Sequence, residues 1–518
     1  MPILTLLILI PAIGAILAAL LRPAQSRMVA VVASGLTLLV ALGLFGYTPT
    51  GNSPFGFIEE RGWLPALQIG YVLGVDGPAV LIIVLTALIH LFSIWYSWDR
   101  ITERQREYYA LVLALEATIL GAFCALDLIL FYIFFEACLV PAYFLIGMWG
   151  GRRRIQAATK FFVYTVVGSL LMLASIIGLY IATGSFSVIE IQNHLKTTPL
   201  DPTIGLLIFA GFAIAFAVKT GLFPFHTWLP DTYAEAPTAV TAILSGVMAK
   251  LGTFGLYRFG IDILPDAARQ FAPYIVALAV ISILYGAWIA AVQRDAKRVL
   301  AYSSMSHLGF VVLGLFALTP EAMTGAFLQM LNHGITSAGC FYLMGMIGER
   351  RGSTNIRAFG GLWEQMPVFA RIFLILTLSS IALPLTNGFV GEFLILLGSY
   401  QTFPWATALA TTGVIFSAVY MLWMYQRVMY GRPITSAVQR MTDMNASEKA
   451  LGAVLVALVF LLGIAPGWFT DLTNFAVKQA VSKTKMLDDL TQLPVGAANF
   501  IRTPESVPPG AVQLEKRR

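Results

Sequence analysis

Seven side chains able to gain or lose a proton lie inside long apolar stretches of this sequence. They are Glu116 in "LALEATILGAF", Glu136 in "FYIFFEACLVPAYF", Lys219 closing "TIGLLIFAGFAIAFAVK", Lys250 in "SGVMAKLGTFGLYRF", His307 in "YSSMSHLGF", His333 in "MLNHGITSAGCFYL" and Glu392 in "LPLTNGFVGEFLILL". A charge at the centre of a membrane helix costs about 2.5 to 3.5 kcal/mol, so each such group needs a partner, water or a function. The chemistry open to carboxylates, amines and imidazoles placed this way is proton exchange. A plainer reading weighs against each one. Glu116 can be half of a structural pair joining two helices, and His307, near the end of its stretch, can be a packed histidine. His333, mid-stretch beside Asn332 and small residues, is better placed to line water. Glu136, Lys219, Lys250 and Glu392 stand on four separate stretches, which four unrelated staples explain poorly.

The elements that must hold these groups follow from composition. Of 518 residues 58% are hydrophobic and 12% charged, far from a soluble globular chain and typical of a polytopic membrane protein. Apolar runs long enough to cross about 30 Å of hydrocarbon recur along the chain. About fourteen helices are expected, among them 107–125, 127–148, 156–183, 204–224, 236–259, 300–318, 321–347 and 367–400. The first run, 2–21, lacks a basic leader and is read as a retained helix. The polar segments 47–73 and 184–203, and a tail from 471 rich in Pro, Lys and Asp, are expected to be mostly irregular.

Two helices should be broken. Pro224 follows Lys219 and Pro384 precedes Glu392, and each removes a helical hydrogen bond and frees carbonyls within the membrane. At about 1.5 Å per residue the run 367–400 would span about 50 Å, too long for one uninterrupted crossing. Each break falls in the fourth helix of a group of five. A unit with an odd number of crossings repeats upside down, an arrangement found in transporters. The fold class is therefore an all-α membrane protein with two inverted five-helix repeats. The expected divisions are residues 1–106 (three helices), 107–259 (first repeat, the entry half), 271–430 (second repeat, the exit half) and 449–518 (last helix and tail).

Basic residues set the orientation. With the N-terminus outside, inner loops hold twenty Lys and Arg, outer loops four (Arg61, Lys196, Arg258, Arg269) and the tail seven, leaving Lys219 and Lys250 within the membrane. Both termini then lie on the outer side. Cys124, Cys138 and Cys340 show no ligand spacing, so no metal or iron–sulfur site is readable. No phosphate loop in a strand-to-helix setting occurs, and the basic balance reflects inner loops and not a nucleic-acid surface.

The segments "KTGLFPFHTWLPDTYAEAPTAVTAILSGVMAKLGTFGLYR", "FYIFFEACLVPAYFLIGMWG", "DAKRVLAYSSMSHLGF" and "LNHGITSAGCFYLMG" strongly resemble the antiporter-like, proton-translocating chains of the respiratory complex I family, shared with Mrp-type cation/proton antiporters. The likeness spans about residues 70–430, and the acidic residue in "GFVGEF" points to the NuoM/NdhD (chain 4) branch, cyanobacterial NdhD being the nearest likeness. It implies a proton-pumping subunit of an NAD(P)H- or ferredoxin-driven plastoquinone reductase in a thylakoid membrane, with its termini lumenal. By resemblance Glu136 and Lys219 form a switching pair, Lys250 is a central relay, His307 and His333 connect the halves, Glu392 is the exit residue and Glu116 links to a neighbouring chain. Desolvation disfavours a charged amine and a nearby carboxylate favours it, so moving Glu136 relative to Lys219 would load or eject a proton. The resemblance implies no cofactor in this chain, with quinone and iron–sulfur clusters in other subunits. Its implied partners are neighbouring membrane-arm subunits and the lipid bilayer. An autonomous Mrp-type antiporter, a quinone-binding redox chain and a passive scaffold are the rival readings.

Overall fold

The computed structural model describes residues 2–49, 53–64, 66, 69–432 and 436–484. Helices α1 (Ile3–Leu20) and α2 (Pro23–Gly43) lead into a two-stranded antiparallel hairpin, β1 (Gly56–Leu64) and β2 (Ile69–Val75). Then follow α3 (Gly77–Ser97), α4 (Gln105–Cys124), α5 (Leu128–Ala137), α6 (Leu139–Trp149), α7 (Arg154–Thr183), α8 (Val188–Thr197), α9 (Pro202–Thr220) and α10 (Trp228–Glu235). Next come α11 (Thr238–Ile243), α12 (Lys250–Gly255), α13 (Pro265–Val292), α14 (Ala296–Phe316), α15 (Pro320–Arg351), α16 (Leu362–Gln365), α17 (Pro367–Ser380) and α18 (Asn387–Thr402). The chain closes through α19 (Pro404–Met429), α20 (Ser436–Gln439), α21 (Ala446–Ile464) and α22 (Gly467–Lys483). Side-chain caps set several of the starts: Asp76, Asp127, Ser187, Asp201, Asp295 and Thr319 each accept from backbone N–H groups of the turn that follows, which satisfies donors that a helix leaves open.

Twelve helical stretches among the described residues are long and apolar enough to cross a bilayer. Two of them are composites: α5 and α6 form one run, Leu128–Trp149, and α11 and α12 join π-helical turns to form Thr238–Ile261. The 32-residue α15 is also long enough but more polar, and α17 with α18 make one crossing interrupted in its middle. With these two the fourteen expected crossings are accounted for.

The polar segments are more ordered than expected. Segment 47–73 holds most of the hairpin, 184–203 holds α8, and the tail begins with α22, of which Lys483 is the last residue. Local caps and cross-strand pairing build these elements, and apolar run length does not register either. Residues 485–518 lie outside the described residues. The hairpin, the start of α5 and the start of α8 meet on one face, where Leu126 donates to Val72 O and Val188 to Leu126 O. On the opposite face Arg153 pairs with Glu235, and Asp231 binds both Lys160 and Arg298. These are called the hairpin face and the arginine-rich face.

Both breaks are present and run in opposite directions. From the hairpin face α9 ends at Gly221, whose φ of +78° suits a residue without a Cβ, and α10 resumes at Trp228 toward the arginine-rich face. From the arginine-rich face α17 ends at Ser380 and α18 resumes at Asn387 toward the hairpin face. Arg258, read from sequence as an outer-loop residue, is instead buried in the last turn of its crossing, 2.7 Å from Asp76.

Candidate proton-transfer site

The first broken helix presents Lys219 in its last turn, 1% exposed. Carbonyls freed by the break find new donors: Trp228 Nε1 donates to Val218 O at 2.9 Å, and the Leu222 N–H turns back to Ala217 O. The ammonium of Lys219 lies 4.5 Å from the centre of the Phe135 ring and 3.5 Å from Cys138 Sγ. A desolvated cation over an aromatic face gains about 2 kcal/mol or more. Glu136 sits in the last turn of α5, one residue before its end. Its Oε1 is buried without a hydrogen-bond partner among the described residues. The expected direct pairing is therefore open here: no Glu136–Lys219 contact within 4 Å occurs among the described ion pairs, and Cys138 lies against the lysine instead. From sequence Cys138 shows no ligand spacing and has no role beside the lysine; its place two residues after Glu136 was the available signal.

The helices that carry Lys219 and Lys250 meet in a close contact. A Cβ on Gly252 would lie 2.2 Å from Thr220 Oγ1 and 2.6 Å from Phe216 O, so α12 seats directly on the end of α9. Lys250 is fully buried, and its Nζ donates to Ser245 O at 2.6 Å and lies 2.8 Å from His333 Nδ1. The π-turn explains the first contact. Ala249 N bonds to Leu244 O, five residues back, so Ser245 O is left for the lysine.

From there the groups are continuous. The His333 and His307 ring centres are 5.8 Å apart, and His307 Nδ1 is 2.7 Å from Glu392 Oε1. Gln329, one turn before His333 on α15, donates to the same Glu392 oxygen at 2.9 Å. A cavity of about 20 Å³ lies among His307, His333, Ser304, Ser337, Asn332 and Gly388, room for one water bridging polar groups. At the second break Asn332 and Asn387 exchange side-chain-to-backbone hydrogen bonds, which fixes α15 to the start of α18. The sequence thus indicated the members of this row, but not Gln329, whose spacing of four from His333 would have placed it.

Glu116 stands apart. It is buried on α4, accepts from Ser34 Oγ of α2 at 3.1 Å, and has no described contact with the other six. His90, inside α3, passes the same test of a titratable group in an apolar run and was overlooked; its Nδ1 lies 2.8 Å from Thr86 O.

Residues 125–417 match the family described as "NADH:quinone oxidoreductase/Mrp antiporter, TM". The NADH-quinone oxidoreductase subunit M of Rhodobacter capsulatus is 40% identical over 466 residues, 88% of this chain and 90% of that one. The chain belongs to this family. A chain of respiratory complex I from Thermus thermophilus with bound NADH superposes with a TM-score of 0.84 at 34% identity, over 93% of this chain and 99% of that one. A chain of the Mrp complex from Dietzia sp. DQ12-45-1b gives a TM-score of 0.84 at 21% identity, over 93% and 98%, a likeness of fold. This chain is a subunit M-type, proton-translocating membrane-arm subunit of complex I, an integral membrane part of a redox-driven proton translocase, and its partners are other antiporter-like membrane subunits.

Proposed function

We propose that protons cross this subunit along Lys219, Lys250, His333, His307 and Glu392, and that Glu136 switches Lys219. The observation that carries this reading is the unbroken buried row from Lys250 to Glu392, with two contacts under 3 Å and one bridging pair of rings. In the arrangement described, Glu136 is apart from Lys219. Approach of the carboxylate would favour the ammonium, and withdrawal would release its proton toward Lys250. The open pair thus corresponds to the releasing half of the cycle. Glu116, tied to Ser34 on the side away from this row, is assigned to contact with a neighbouring subunit. The arginine-rich face is assigned to the inner side and the hairpin face to the outer side by the distribution of Lys and Arg.

Replacing Lys219 tests the relay. Lys219→Met keeps the apolar stem and removes the charge, so the complex should assemble, lose proton translocation and lose much of its coupled quinone reductase rate. Electron input to an artificial acceptor that bypasses the membrane arm should be unchanged. Assembly on native gels with wild-type acidification of inverted vesicles would overturn the assignment.

The finer reading, a cyanobacterial thylakoid complex taking electrons from ferredoxin and reducing plastoquinone, rests on the resemblance of the quoted segments to cyanobacterial NdhD; the acidic residue in "GFVGEF" supports the NuoM/NdhD branch as a whole. The quinone that copurifies with the intact complex tests it: plastoquinone supports it, and ubiquinone or menaquinone overturns it.

A further inference from the structure

A second cavity, of about 540 Å³, lies on the arginine-rich face between α3, α11 and α14, and the relay described above does not use it. Glu235, Glu349, Arg100 and Lys297 supply its charged lining. Three of these are engaged: Arg100 with Glu349 at 2.6 Å, and Glu235 with Arg153 at 3.5 Å. Lys297 is different. It is 8% exposed, and its Nζ donates to a neutral carbonyl, Ala236 O, at 3.1 Å, with no ion pair among those described. Asp295, Glu235 and Glu349 act on it only from beyond ion-pair distance, so this nearly buried amine faces a cavity large enough for many waters without a bound carboxylate among the described residues, and water can exchange its proton.

The same carbonyl leads inward. Thr241 Oγ1 lies beside it, its single proton shared among Tyr233 O at 3.1 Å and Ala236 O and Pro237 O at 3.2 Å. One helical turn further, Ser245 Oγ is fully buried and has no hydrogen-bond partner among the described residues. Ser245 is also the residue whose carbonyl holds the Lys250 ammonium. Residues 241 and 245 share a helix face, and the π-turn that follows brings Lys250 onto it. An unpartnered hydroxyl buried at this point costs stability, and a passing proton or water would use it.

We propose that this cavity is the pump's proton-collecting vestibule, with Lys297 as acceptor and Thr241 and Ser245 as the hydroxyl path to Lys250. The proposal rests on the relay above and adds a direct inlet from the arginine-rich face to the central lysine. Hydronium in the vestibule gives its proton to the neutral amine of Lys297, forming an N–H bond. The ammonium returns to the amine as that proton passes through the hydroxyls to neutral Lys250. No electrons move. The Glu136–Lys219 pair then acts on a lysine already supplied from this face.

The test uses the intact complex in inverted vesicles, where the arginine-rich face meets the bath, with an uncoupler present so that added amine cannot act through the gradient. Lys297→Ala should lower the quinone reductase rate about tenfold or more, leave transfer to the artificial acceptor unchanged, and recover with added ethylamine, which the cavity can hold. Lys297→Arg keeps the charge but does not release its proton at working pH, so it should assemble and remain slow. Wild-type turnover by either variant, or an Ala variant that ethylamine leaves unchanged, overturns the vestibule. Lys219→Met, assayed for acidification in the same vesicles without uncoupler, separates the two readings: normal pumping there defeats the relay, whereas normal turnover in the Lys297 variants alone defeats only the inlet.

Discussion

At the scale of single residues, placement of a charge and placement of its partner are separate problems. Glu136 and Glu116 are both carboxylates in apolar helices, yet one lies on the helix whose Phe135 meets Lys219, without touching the lysine, and the other accepts from Ser34. Glu136→Gln should therefore cut proton translocation about tenfold or more, and Glu116→Gln should cut it less; equal small losses measured in inverted vesicles would return both to structural staples. His307→Gln removes the imidazole between His333 and Glu392, and acidification should fall similarly while native-gel assembly is retained. Wild-type pumping by that variant would mean protons reach Glu392 another way. The sequence made these groups legible because burying a titratable group is costly enough to be informative alone. It could not show that Cys138 and not Glu136 lies against Lys219, because helical spacing gives a face and leaves the rotamer open.

At the scale of elements, both breaks were legible through Pro224 and Pro384, which cannot sit in an unbroken ladder. The π-turn at Leu244–Met248 was not, since its residues all fit an ordinary helix and only the packing around Lys250 selects the wider turn. Helix α22 was missed for a different reason. Its apolar residues Phe469, Leu472, Ala476 and Ala480 fall at helical spacing, but polar residues interrupt them, so no apolar run of crossing length marks the helix; Lys483 at its end lies 2.5 Å from Asp262. The contact between α9 and α12 yields a direct test, since Gly252 is the only residue type that lets Thr220 and Phe216 come so near. Gly252→Ala should cost about 1 to 3 kcal/mol by overpacking and push α12 away from Lys219. A lower melting temperature in detergent together with slower acidification is expected. Unchanged stability would mean that the two helices yield at no cost and that their close approach does not position the lysines.

At the scale of the whole molecule, orientation decides what the relay accomplishes, because the same row of groups inverted would carry protons the other way. The assignment rests on charge: Arg153 and Lys160 lie with Glu235 and Asp231 on one face, while the hairpin, α8 and α22 gather on the other. Removing Arg258 from the outer-loop count, as its burial against Asp76 requires, strengthens the asymmetry that set the orientation. Arg153 and Asn193 are exposed on opposite faces and suit an accessibility experiment. In a complex whose native cysteines are otherwise unreactive, Arg153→Cys should react with a membrane-impermeant thiol reagent in inverted vesicles and be protected in intact cells or right-side-out vesicles. Asn193→Cys should show the reverse. If both labels exchange sides, the fold stands but the direction does not: the vestibule at Lys297 would open to the outer side, Glu392 would lie nearer the inner exit, and the proposed relay would have to be read from Glu392 toward Lys219.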